Sequence, residues 1–210
     1  MNKNILLVEG PNDGSMISGL LYKHAMYIPD SKIISCVGIE NLLVQLDLYL
    51  KNSSAYNTIC IVVDADKSVD SRWQQLRDRL WRTGKYNCKK MFLNKDGMII
   101  EPIETDDAKV GVWIMPNNKS QGTLEDFILD MIPQEDELFK EVERELLHLE
   151  SAKIHRYKDK CRNKAKVHTF LAWNESPGCS LNTAIVSRIL NPNTELANAF
   201  VTWIKNLFCF

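Results

Sequence analysis

The run Thr58–Val63, TICIVV, most constrains what this chain can fold into. Every position is β-branched or apolar, so neither face of the strand suits water, and such a strand belongs in the middle of a parallel sheet with helices on both sides. The flanking sequence fits that placement. Asn4 to Val8 reads as a first strand, followed by a helix from Asp13 to about Met26 with Met16, Ile17, Leu20 and Leu21 on one face. Lys32 to Val37 reads as a second strand, and Leu42, Leu43, Leu46 and Tyr49 or Leu50 keep helical spacing before the turn-rich KNSSAYN. After the central run, a helix from Val69 to Arg82 stops at Gly84, and CKKMFL is expected as a fourth strand. GMIIEPI and VGVWIMP are expected as an antiparallel pair at the sheet edge. Strand and helix alternating in this way predict an α/β fold, an open, mainly parallel sheet with right-handed crossovers. Beyond Gly122 the segments are all helical in period, so we expect a core over residues 1–130 and a helical C-terminal portion over 131–210 packed on it.

In such a sheet all parallel strands deliver their C-terminal ends to one edge, where ligands bind. Glu9 ends the first strand and Asp64 the central one, and in extended chain Asp66 returns to the side of Asp64. Carboxylates this close raise one another's pKa unless a cation neutralises them, and an all-oxygen set suits Mg²⁺ or Mn²⁺. Gly10 would let the backbone approach a phosphate closely, and Asp13 would either cap the next helix or orient a metal-bound water.

LLVEG, the glycine in CVGIENLLVQL and IVVDAD together resemble the Toprim domain shared by topoisomerases, primases, maturases and the overcoming-lysogenisation-defect (OLD) nucleases. The resemblance covers about residues 4–95. WIMPNNKSQGTLEDFI and KAKVHTFLAWNESPG resemble a branch of stand-alone Toprim proteins related to those nucleases. The resemblance implies a Toprim-like, Rossmann-like core and Glu9, Asp64 and Asp66 as metal-site residues. It further suggests Glu125 or Asp126 for a second metal, and Lys164 or Lys166 facing the scissile phosphate. The implied activity is a two-metal nuclease acting on DNA or RNA, plausible in phage defence or a mobile element. No tyrosine-bearing nicking and rejoining domain of the topoisomerase kind is evident.

Other readings stay open beside this one. Thr123, Glu125 and Asp126 also fit a helix N-terminus. KIHRYKDKCRNKAK holds seven Lys or Arg against one Asp. Lys153, Arg156, Lys158, Lys160 and Arg162 could therefore track a nucleic-acid backbone, or could form a solvated face balancing EDELFKEVERE. The tryptophans, Trp113, Trp173 and Trp203 among them, are expected in the core. DADKS also matches the loop of haloacid-dehalogenase phosphatases, in which the first Asp attacks phosphorus. A non-catalytic module recruiting a partner ATPase is a further alternative; the chain has no GxxxxGK[ST] of its own. A homodimer is possible through the C-terminal WIKNLFCF.

With 26 Lys and Arg against 27 Asp and Glu, net charge gives no global attraction to nucleic acid, so any such site must be local. The six cysteines lack CxxC or metal-ligand spacing. MNKNILLVEG has too short an apolar run for a signal peptide, and no apolar segment is long enough to span a bilayer, so a cytoplasmic protein is expected.

Overall fold

The computed structural model describes residues 3–28 and 31–209. In chain order the elements are β1 (Lys3–Val8), α1 (Pro11–Lys23), β2 (Ser31–Ser35), α2 (Ile39–Lys51), β3 (Tyr56–Asp64), α3 (Val69–Arg82), β4 (Met98–Ile100) and β5 (Lys109–Met115). The helices α4 (Leu124–Asp130), α5 (Glu137–Ser151), α6 (Arg162–Ala172), α7 (Leu181–Val186) and α8 (Glu195–Phe208) follow. The strands form one sheet in the order β2-β1-β3-β5-β4, and only the β4–β5 pairing is antiparallel. The α/β class and the central place of TICIVV are as expected, with Thr58 through Val63 buried.

Alternate residues of each strand serve opposite faces. Leu6, Val8, Cys60, Val62, Trp113 and Met115 pack with α1, α4 and the helices α5 to α8, whereas Ile5, Leu7, Ile59, Ile61, Val63 and Val112 pack under α2 and α3. The helices beyond residue 130 therefore close one face of the sheet; Phe200 of α8 meets Trp113 of β5 edge-on, and Trp203 packs on it at a tilt. Among the described residues no helix is long and apolar enough to cross a membrane.

The antiparallel pair at the sheet edge is as expected, and two local expectations need correction. CKKMFL is not a strand: residues 84–97 are irregular, and the place beside β3 is taken by β5, a longer β-branched segment. β5 thus lies inside the sheet, and β4 forms the edge. Trp173 is 45% exposed and Trp81 42%, so two of the five tryptophans stand outside the core.

Candidate metal centre

β1, β3 and β5 bring their carboxyl ends to a cleft of about 1230 Å³, lined by Glu9, Asp13, Asp64 and Asp66 from one side and by Glu125, Asp126, Lys160 and Lys164 from the other. Parallel register sets the placement: Val8 pairs with Val62, so Glu9 emerges beside Val63 and Asp64. A Glu9 carboxylate oxygen accepts the Asp64 backbone N–H at 2.9 Å, fixing one acid to the strand end that carries the next. Asp64 in turn accepts the Leu124 N–H at 2.8 Å, which ties the first turn of α4 to the edge of the sheet.

Asp13 caps the helix, though not from the N-cap position expected for it. The N-cap of α1 is Gly10, with Pro11 in the first helical turn, and Asp13 caps from inside the helix by accepting the Gly10 N–H at 3.0 Å. Its other oxygen, Oδ1, is buried with no hydrogen-bond partner. The Gly10 backbone is extended at φ −141, a conformation open to any residue, so its donated N–H, and no left-handed turn, is what it brings to the site.

Burial pushes the Asp64 carboxyl up to about 8, with Asp13, Glu9 and Glu125 adding repulsion. Burial also pushes Asp13 up to about 7, again with Glu9 and Glu125 contributing. Glu9 is raised mainly by burial, against the lowering effects of the Asp64 N–H and the nearby Arg72. Four acids therefore act on one another in a partly dry cleft, an electrostatic load typical of functional sites.

Asp66 departs from its expected position. Its backbone is left-handed at φ +53 and bridges to Gly122, so the alternation of an extended chain does not apply. Its side chain pairs with Arg72 at 2.7 Å and is 57% exposed. Gly122, at φ +143, is needed here because a Cβ would lie 2.7 Å from the Asp126 carboxylate. Arg72 was not singled out from sequence: it also donates to the Asp64 backbone carbonyl at 2.8 Å and to Gln75 at 2.9 Å, bracing both ends of the DAD turn. Eight residues after Asp64, in the first turns of the following helix, it lies where such a helix returns past its strand end.

Glu125 and Asp126 divide their roles. Asp126 completes a capping box with Thr123, accepting its N–H at 2.8 Å, and also holds Asn163 at 2.7 Å. Glu125 accepts the Thr123 hydroxyl and faces Lys164 at 3.7 Å. Of the basic residues expected at the site, Lys160 and Lys164 line the cleft, together with Lys67 and Arg72. Lys166, the alternative to Lys164, is buried on the other side of α6 and paired with Glu143 at 2.6 Å, so it does not face the cleft. Arg162 is engaged with Glu150 at 2.7 Å. Lys153, Arg156 and Lys158 stand exposed in the α5–α6 connection, not on a continuous helix face.

The donor set suits a hard cation: each of Glu9, Asp13 and Asp64 commits one oxygen to a backbone N–H, and the second oxygen of Asp13 is unpartnered. Among the described residues, no three His, Cys, Asp or Glu side chains are gathered closely enough to hold an ion as they stand. Closure on an ion requires these side chains to turn inward, and Asp66 would have to leave Arg72 to join them. A family model described as "Protein of unknown function (DUF3226)" matches residues 3–209. No curated protein and no solved structure matches the chain.

Proposed function

Because the chain belongs to that family of undefined function, its chemistry has to be argued from its own cleft, and we propose a metal-dependent phosphodiester hydrolase acting on nucleic acid. The carrying observation is the buried acid set, in which Asp13 keeps one oxygen unpartnered and Asp64 is pushed up to about 8. Surplus negative charge of this kind is relieved by Mg²⁺ or Mn²⁺, and Glu9, Asp13 and Asp64 would hold the ion, with Glu125 and Asp66 as the acids nearest a second. Bound divalent ions supply a water of lowered pKa and neutralise charge on the reacting phosphate. Lys164, on the opposite wall and paired with Glu125, would meet a phosphate oxygen, and Lys160 would add positive charge beside it. The Toprim-like resemblance of the sequence motivates the same chemistry and the phage-defence setting.

Calorimetric titration with Mn²⁺, followed by cleavage assays on DNA and RNA, tests this. Metal binding and cleavage that both vanish in Glu9→Ala and Asp64→Ala, with folding intact, are expected; cleavage unchanged in either variant refutes the proposal. The Asp66–Arg72 pair favours a second reading, a non-catalytic module that recruits a partner such as a separate ATPase. Partner capture retained by Asp64→Ala, with no hydrolysis by the wild type, would select it.

A further inference from the structure

The second concentration of positive charge lies outside the cleft. Residues 77–95 hold seven Lys or Arg against one Asp, in a chain whose totals are 26 and 27. Three of the seven are engaged: Arg77 with Asp78, Arg79 with Asp47 and Lys85 with Asp107. Among the described residues, Arg82, Lys89, Lys90 and Lys95 sit in no ion pair and are exposed. Between them stand three large apolar side chains: Trp81 is 42% exposed, Met91 38% and Phe92 90%. Lys89 lies over the Trp81 ring at 4.2 Å.

The tract has a direction. Trp81 and Lys89 mark the far end of α3. Met91 receives the Trp73 indole N–H at 3.0 Å, eight residues or about 12 Å nearer the start of the helix. Farther along, the Lys95 carbonyl accepts from Asn118, just past the carboxyl end of β5. Residues 89–95 therefore climb beside α3 from the amino edge of the sheet to the carboxyl edge, where Asp64 and Arg72 stand.

We infer that Trp81–Arg82 and Lys89–Lys95 form the track along which a single nucleic-acid strand approaches the acid cleft, its bases stacking on Phe92 and Trp81 and its phosphates meeting Lys89, Lys90 and Lys95. Use of the bound strand as substrate rests on the phosphodiesterase reading; binding itself does not. The choice of occupant follows from the chemistry of the surface. Protein interface cores are depleted in lysine, whereas separate aromatic rings interleaved with cations that sit in no ion pair match a polyanion with exposed π-faces. A duplex keeps its base faces stacked internally and offers Phe92 nothing to stack on.

The test is fluorescence anisotropy in EDTA with fluorescein-labelled oligo-dT and oligo-U of about 20 nucleotides, longer than common single-strand sites. Phe92→Ala is expected to weaken binding about 5- to 100-fold, the loss of one stacked base, with the salt slope unchanged. Lys89→Gln/Lys90→Gln is expected to lower that slope by about 1.4, roughly 0.7 for each phosphate contact. The corresponding duplex should bind more weakly and ignore Phe92→Ala. Absence of oligonucleotide binding, or variants that bind as the wild type does, overturns the inference; so does a duplex equally sensitive to Phe92→Ala. Mn²⁺-dependent hydrolysis of bis(p-nitrophenyl) phosphate reads the cleft separately and should be unaffected in both track variants. A wild type that binds oligo-dT and hydrolyses nothing refutes the nuclease reading and leaves the track standing.

Discussion

Asp64→Asn should make the metal-free protein more stable at alkaline pH. In the folded chain the Asp64 carboxyl is pushed up from its ordinary 3.8 to about 8 by burial and by its acidic neighbours. An acid raised in the folded state holds its proton where the unfolded chain has lost it, so stability is full below about 4 and declines as pH climbs toward about 8. At roughly 1.4 kcal/mol per pH unit, that interval sets a ceiling of about 6 kcal/mol. Burial and the repulsion of Asp13, Glu9 and Glu125 act on Asp64 together, and relaxation of the cleft recovers part of that ceiling; we expect the variant to gain about 2–3 kcal/mol at pH 8.5. Asparagine keeps an oxygen for the Leu124 N–H, so the tie to α4 survives. Urea unfolding in EDTA at pH 5 and pH 8.5 is the assay. At pH 5 the folded acid is still protonated but the unfolded one has already ionised over about one pH unit, so the variant's gain should be about 1.5 kcal/mol there and should grow further by pH 8.5. Saturating Mn²⁺ should then stabilise the wild type, by about 2.7 kcal/mol at one hundred times the dissociation constant, and the variant much less. A wild type whose stability is flat from pH 5 to 8.5, or a variant weaker at pH 8.5, would refute the claim that these acids are buried under strain.

Removing the guanidinium that competes for Asp66, in Arg72→Ala, should tighten Mn²⁺ binding up to about fivefold, the worth of a partly exposed ion pair, and calorimetry giving equal or weaker affinity would contradict this. Lys164→Ala should lower cleavage about 10- to 100-fold with folding intact. Lys166→Ala should leave cleavage within about twofold and instead cost about 1 kcal/mol in urea unfolding, since it breaks the pair with Glu143; the reverse pattern would exchange the two lysines' roles. Gly97→Ala should destabilise the fold by about 2–4 kcal/mol, because the backbone there is left-handed and a Cβ would overlap the Trp203 ring; a loss under about 1 kcal/mol in thermal or urea unfolding would show that Trp203 can give way.

What the sequence disclosed and what it hid separate along physical lines. TICIVV disclosed the centre of the sheet because only a two-sided burial satisfies it, and parallel strand ends then placed Glu9 and Asp64 together. CKKMFL misled because alternation describes a strand only where a neighbour can pair with it, and β5 had taken that place from a position some twenty residues later. The left-handed turn at Asp66 was hidden because its bridge partner is Gly122, far along the chain. The choice between Lys164 and Lys166 was in principle readable: Val167, Phe170 and Leu171 define the buried face of α6, and Lys166 lies on it.

Charge shows the same division between total and placement. A balance of 26 against 27 argues against a nucleic-acid partner only if the charges are mixed. Here residues 77–95 and 153–166 together carry more than half of the Lys and Arg, and the two segments reach the cleft from different directions, one beside α3 and one at the start of α6. The acids left in excess elsewhere include the four that load the strand ends. Cations lead toward a cleft whose floor is anionic, so a phosphate backbone drawn along them would meet repulsion at its end. A divalent ion removes that repulsion, which makes strand binding and metal binding linked: cleft acids neutralised by Mn²⁺ should let an oligonucleotide that spans track and cleft bind more tightly than it does in EDTA, and by reciprocity the oligonucleotide should tighten Mn²⁺ by the same factor.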